Sequence, residues 1–416
     1  MGSAKSGRRA WLVAPALMVI AALPACGAVP TATPRIAEAP AGSASTSKPQ
    51  VPPPSLSTPA RRAPAQSSTA DRSCAELIES MSLTERVGQL LMVAISSSGM
   101  RGSEKEIIHR TRAGSVLLLG NSTAGMERIR GLASRVRDAS RSPEGVTVML
   151  AADQEGGLVQ RLQGPGFTTI PSATNQAKQS DAQLRRNAYD WGRELKSAGI
   201  TANLAPVADV VPFGMVWMNR PIGQLRRGYG QSPKKVAAKV SAFTEGMDRA
   251  GVATAVKHFP GLGKVRGNTD YVSRVVDTKT TRKDPALAGF RAAVDAGVDM
   301  VMVSSAIYTK IDDDHRAAFS TKIMNDMVRD DLGFSGVVIS DDMAAAAMRV
   351  LPAEDRARRF IRAGGDLLII GDARLATSMA DAIRDEAADD PDFAKQVTAS
   401  AARVVAMKER RGLAGC

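Results

Sequence analysis

Asp341 stands at the end of an apolar run, Val337-Val338-Ile339-Ser340, where a short β-strand would deliver its carboxylate to the rim of a sheet. A carboxylate held there can attack an electrophilic carbon or stabilise a developing cation. Asp341 or its neighbour Asp342 can instead cap the helix that the Met343–Met348 pattern predicts. The residues alone leave both roles open. Other polar side chains end comparable apolar runs: Asp153 and Glu155, Asp209, Lys257 and His258, Ser304 and Ser305. One such residue often does no more than meet water, but their recurrence at strand ends points to a shared site.

Gathering those side chains on one rim requires parallel strands. Short β-rich runs occur at Leu90–Ile95, Ser115–Gly120, Val146–Gln154, Asn203–Val210, Ala253–Pro260, Met300–Ala306, Gly336–Asp342 and Asp366–Gly371. Helical patterns fall between them, among them Ala124–Arg137, Asp181–Ala198, Pro233–Ala250, Asp284–Ala296 and Thr321–Asp331. Gly114, Gly251, Gly297 and Gly365 precede strands and read as helix C-caps. This alternation predicts an α/β fold, a single (β/α)8 TIM-type barrel with its chemistry at the C-terminal rim. A doubly wound open sheet is the competing architecture, but no strand is followed by Gly-x-Gly-x-x-Gly or a phosphate-loop signature. The histidines are few and dispersed, and there is neither His-x-x-x-His nor Cys-x-x-Cys, so no metal site or cofactor is expected.

The N-terminus reads as an export signal. Lys5, Arg8 and Arg9 precede the apolar run Ala10–Pro24, which ends in Leu23-Pro24-Ala25-Cys26-Gly27. That ending resembles a bacterial lipoprotein signal, with cleavage after residue 25 leaving Cys26 to carry the lipid. Acyl chains would anchor it durably, at roughly 0.8 kcal/mol per buried methylene. The expected location is the outer face of the cell membrane. Residues 26–71 are rich in Pro, Ala, Ser and Thr and read as an extended tether, leaving 72–416 as the folded domain. In an exported chain Cys74 and Cys416 form a disulfide or stay as two free thiols. The net charge of +13 does not mark a nucleic-acid binder, because the cations are scattered without interleaved aromatics, which make up only 4% of the chain. An anionic envelope suits that charge, and a monomer is expected.

Several segments together resemble glycoside hydrolase family 3, and within it the single-barrel β-N-acetylhexosaminidases. Leu83-Thr84-Glu85-Arg86-Val87-Gly88-Gln89-Leu90 looks like the family's opening helix. Ala152-Asp153-Gln154-Glu155-Gly156-Gly157 through Arg161-Leu162 is similar to its third-strand signature. Asn203–Val210, Val256-Lys257-His258-Phe259-Pro260-Gly261 and Ser340-Asp341-Asp342-Met343 resemble its fourth, fifth and nucleophile segments. The resemblance implies a retaining exo-β-N-acetylglucosaminidase acting on cell-wall fragments such as muropeptides. It makes Asp341 the nucleophile and assigns the sugar hydroxyls to Asp153, Arg161, Lys257 and His258. Arg227 looks like the arginine reaching the same sugar, with Arg226 as a competitor because that segment departs from the family pattern.

The acid/base segment departs further. Where the family carries Pro-Gly-His-Gly and then Asp-Ser-His, this chain reads Pro260-Gly261-Leu262-Gly263 and then Asn268-Thr269-Asp270. Asp270 is the natural substitute, since a carboxyl beside a second carboxylate can be kept protonated and donate to a leaving oxygen. Asp277 is a weaker candidate. Other family activities, β-glucosidase or glycoside phosphorylase, and a sugar-binding lipoprotein that has lost catalysis are the competing functions.

Overall fold

Each strand carries apolar residues on both faces, as a sheet covered by helices outside and filled by side chains inside requires. In a computed structural model, which describes residues 70–416, eight parallel strands close into a barrel: β1 Leu91–Ser96, β2 Ser115–Leu119, β3 Met149–Ala152, β4 Ala202–Asn203, β5 Ala253–Phe259, β6 Met300–Val303, β7 Val337–Asp342 and β8 Leu367–Ile370. β8 pairs with β1 in register, Leu91 opposite Leu368 and Val93 opposite Ile370. That closure excludes the open sheet. The signal segment, Cys26 and nearly all of the tether lie outside the described residues, and the helix Ala70–Ser80 begins just ahead of the expected boundary.

Alternation along the strands divides the core in two. Met92, Ala94, Leu117, Met149, Ala202, Ala255, Met302, Ile339 and Ile369 fill the barrel, while Leu91, Val93, Ile95, Val256 and Val338 face the helices. The lower end is plugged by Val404, Met407 and Leu413, from the helix Pro391–Arg410 and the residues after it. Buried Lys408 lies beside them and donates to Gln89 Oε1 at 2.8 Å and the Gly114 carbonyl at 2.6 Å. Cys416 is disulfide-bonded to Cys74, with Cα atoms 4.7 Å apart, joining the two ends of the domain.

Local chemistry sets the helices. Ser82 and Glu85 form a capping box on Leu83–Gln89, and Ser232 caps Pro233–Arg249 with proline in its first turn. Several boundaries differ from the sequence reading. Gly251 and Gly297 take the positive φ of a C-cap, but Arg112 and Gly364 take it in place of Gly114 and Gly365. The third strand stops at Ala152, and the chain enters a two-stranded ribbon, Gln154–Gly156 with Val159–Gln160. The fourth shrinks to Ala202–Asn203 because Pro206 has no N–H to extend the ladder. No helix forms over Met343–Met348, and the next one begins at Ala353.

Candidate active site

The upper end of the barrel opens into a cavity of about 470 Å³, within the range of small-molecule sites. Its floor is the top of the barrel core, where Leu117, Leu204, Met302 and Ile369 belong to both. Asp153, Arg161, Arg227, Lys257, His258, Asp270 and Asp341, all singled out in the sequence, line it together.

Irregular strand ends let neighbouring residues share that wall. The pairing of β7 with β8 shifts register between Ile339 and Asp342, and that of β5 with β6 between Lys257 and Phe259. A bulge breaks the alternation of faces, and both Asp341 and Asp342, and both Lys257 and His258, reach the cavity.

Behind the wall lies a buried ion network. Lys257 Nζ sits 2.6 Å from Asp153 and 2.7 Å from Glu155. Arg227 grips Glu155 with two bonds, Nε at 2.9 Å and Nη2 at 2.7 Å, and donates Nη1 to the Pro221 carbonyl. Burial alone would raise the Glu155 carboxyl, but Arg227 and Lys257 outweigh it and hold the carboxyl well below the ordinary range. Burial would lower Lys257, yet Asp153 and Glu155 raise it. Two cations and two carboxylates thus fix one another, which presents Asp153 and Arg227 in set orientations. His258 Nδ1 lies 2.7 Å from buried Asp209, whose other oxygen accepts the Leu262 amide. Asp209 can only accept here, so Nδ1 carries a proton, and Nε2 lies 3.4 Å from Arg227 Nη2. Arg161 donates to Asn121, while its buried Nε has no partner among the described residues. Arg226 is exposed and absent from the cavity wall, so Arg227 is the arginine that enters.

Three carboxylates face this network. Asp341 holds the Asp342 amide with one oxygen at 2.9 Å. Asp342 Oδ1 accepts the amides of Ala344 at 2.7 Å and Gly371 at 2.8 Å, so the local capping falls to Asp342. A Cβ at position 371 would run into the Asp342 carboxylate, so a larger residue there would displace that side chain. Asp270 arrives on the loop after β5, which is tied to the segment after β7: Ala346 and Ala347 donate to the carbonyls of Asp270 and Thr269. Arg316 bridges the same two segments through the carbonyls of Ala347 and Ser273. The protein mass around Asp270, and then the charge of Asp341, push its carboxyl above the ordinary value; solvent at the cavity mouth, where the residue is exposed, limits both effects. Asp277 is elsewhere, fully buried and bonded to the Lys279 and Thr280 amides, which removes it as an acid/base candidate.

Burial raises Asp342 to about 6, against the lowering by its two amide donors, with Asp341 and Asp270 adding to the rise. A carboxyl raised above its ordinary 3.8 contributes stability that is complete in acid and lost as pH rises through about 6. Asp342→Asn keeps an oxygen for both amides and removes the charge. It is expected to gain about 1–3 kcal/mol over the parent protein between pH 4 and pH 7.5. Thermal denaturation at the two pH values checks this, and a pH-independent difference would refute it.

Glu155 was read as a strand-end polar group but given no role, and Asn219 was not anticipated. Glu155 had only its place two residues after Asp153 as a signal. Asn219, wholly buried, donates to the Leu262, Gly263 and Val265 carbonyls and accepts the Ile222 and Gly223 amides. It staples the loop bearing Arg227 to the loop bearing Asp270, and nothing in its sequence context marks it.

A closed barrel with carboxylates and cations gathered on its upper rim fits a glycoside hydrolase. Residues 82–407 match the glycosyl hydrolase family 3 N terminal domain, and the chain belongs to that family. It is 30% identical over 291 residues to a beta-hexosaminidase of Vibrio cholerae serotype O1, covering 69% of this chain and 83% of that one. The solved structure of a beta-N-acetylhexosaminidase from Beutenbergia cavernae is similar over 79% of this chain and 99% of its own, with 42% identity and a TM-score of 0.78. M tuberculosis LpqI is similar over 80% of this chain and 96% of its own, at 26% identity and a TM-score of 0.69.

Proposed function

We propose that the protein removes terminal β-linked N-acetylglucosamine from saccharides with retention of configuration, through a covalent glycosyl-Asp341 intermediate. The supporting observation is that Asp341 and Asp270 line one cavity, on segments hydrogen-bonded to each other. Asp341 attacks the anomeric carbon, the bond to the leaving oxygen breaks, and that oxygen takes the Asp270 proton. Water then attacks the same carbon, gives its proton to the Asp270 carboxylate, and releases Asp341. Asp153, Arg161, Arg227, Lys257 and His258 hold the sugar hydroxyls, because paired charges fix both donor and acceptor directions. The closed floor admits only a chain end, which makes the action exo. The relatives named above support N-acetylhexosamine as the terminal sugar. Peptidoglycan fragments are the natural substrates in this reading, reached from a lipid on Cys26 at the outer membrane face.

The test is the activity of the full-length protein on aryl N-acetylglucosaminide beside aryl glucoside, with the first-formed anomer read by NMR. Strong preference for the former, a β-configured first product and no requirement for phosphate are expected. Preference for the glucoside, an α-configured product or phosphate dependence would each overturn the proposal.

A further inference from the structure

The catalytic face also carries an apolar rim that the terminal sugar does not use. Among the described residues the large exposed hydrophobic side chains are Leu158, Phe213, Trp217, Met218, Tyr271 and Val350. Each lies between a barrel strand and the helix after it, and in a parallel barrel those connections share one face. A collection confined to the catalytic face is not the scatter of single apolar residues that surfaces ordinarily show. The concentration is greatest on two loops, Phe213, Trp217 and Met218 after β4 and Tyr271 after β5. Trp217 and Tyr271 are each 82% exposed in a chain with few aromatics.

These two loops are built as one unit with the cavity. Asn219 joins them through three hydrogen bonds to the Leu262, Gly263 and Val265 carbonyls, and holds its own loop by accepting the Ile222 and Gly223 amides. Tyr271 itself lines the cavity, next to Asp270. Gln224, another lining residue, donates to the Trp217 carbonyl at 2.7 Å. With the floor closed by barrel core, whatever is attached to the terminal sugar must leave across this mouth.

We propose that Tyr271 and Trp217 seat the leaving-group side of the substrate, Tyr271 under the ring next to the bond cut and Trp217 under the ring beyond. This rests on the function proposed above and adds that the substrate is a saccharide of at least two further rings. Aromatic faces suit the apolar C–H faces of sugar rings, and rigid side chains lose little entropy in binding.

The test compares kcat/KM of the full chain and its Tyr271→Ala and Trp217→Ala variants on three substrates of N-acetylglucosamine: the trisaccharide, the disaccharide and the glycosyl azide, whose leaving group has no ring. Tyr271→Ala should lose about tenfold on both saccharides beyond any loss on the azide, a single aromatic contact's worth. Trp217→Ala should lose more on the trisaccharide than on the disaccharide. Equal loss on the azide, or no loss on either saccharide, would overturn the seat. So would unchanged saccharide turnover together with weakened binding of Trp217→Ala to anionic phospholipid vesicles, which would assign the rim to a lipid surface. A parent protein inert on all three substrates would overturn the proposed hydrolysis, and the seat with it, whereas a parent active on the saccharides with unchanged variants would overturn the seat alone.

Discussion

Asp341→Asn is expected to lower kcat/KM on every N-acetylglucosaminide by roughly 10³-fold or more, regardless of leaving group. The amide preserves the volume and can still accept the Asp342 amide that Asp341 holds at 2.9 Å, so the fold should survive. What is lost in the proposed mechanism is the charge that attacks the anomeric carbon, which no neighbouring group replaces. Asp342 is adjacent but engaged by the amides of Ala344 and Gly371, and Asp270 sits on a different loop with the opposite task in the proposed mechanism. The smaller variant Asp341→Gly adds a diagnostic: azide entering the vacated space should restore turnover of activated aryl glycosides and yield the α-glycosyl azide. Full activity in Asp341→Asn would sink the assignment. So would a β-configured azide product. A 5-fluoro N-acetylglucosaminyl fluoride gives an independent reading, because its label should appear on the peptide containing Asp341; label elsewhere, or none on a turning-over enzyme, would transfer the nucleophile's role to another residue or to the substrate's own acetamido group.

The barrel was legible because its strands are buried on both faces and leave apolar runs that length and spacing resolve. Seven of the eight expected strands lie where those runs are, and the fourth meets its run only at Asn203. Their ends were less legible, for local reasons. Pro206, which cannot donate to a ladder, stands inside the fourth run and limits its strand. The missing helix at Met343–Met348 has a cause that no local pattern displays: its amides are taken by other parts of the fold. Met343 donates to the Ile369 carbonyl, and Ala346 and Ala347 donate to the loop before Tyr271. The same capture fixes Asp270 beside Asp341, so the failed helix and the assembled site are one event. Residues on the cavity wall were readable as strand-end polar groups strengthened by family resemblance. The role of Glu155 and the presence of Asn219 were not, since they act through partners distant in sequence, Arg227 and Lys257 for one and the Leu262–Val265 carbonyls for the other. Arg226 and Arg227 were separable only by which one the folded loop turns inward.

Asp270→Asn should divide substrates by leaving group. On saccharides, whose leaving alkoxide must be protonated as the bond breaks, kcat/KM is expected to fall about 10²–10⁴-fold. On a dinitrophenyl glycoside, which departs without a proton, kcat/KM should change by about tenfold or less, while kcat falls because water in the second step loses its base. The substitution spares the architecture: the loop is docked through the backbone carbonyls of Thr269 and Asp270 and through Asn268, whose side chain accepts the Asp270 amide at 3.0 Å. The pH profile carries the same assignment. The Asp270 carboxyl is raised by its surroundings and by Asp341, and it must be protonated to act, so saccharide turnover by the parent protein declines as pH rises through that raised value. Asp270→Asn should lose this decline along with the activity, whereas added azide should restore dinitrophenyl turnover and give the β-glycosyl azide, the anomer opposite to that from Asp341→Gly. Equal losses on both leaving groups would mean that Asp270 merely shapes the cavity. The selective loss appearing in Asp342→Asn instead would move the acid one residue beyond the nucleophile, onto a carboxyl held by two amides. The geometry argues against that outcome, because the Asp342 side chain is committed to the turn that brings Asp270 into place.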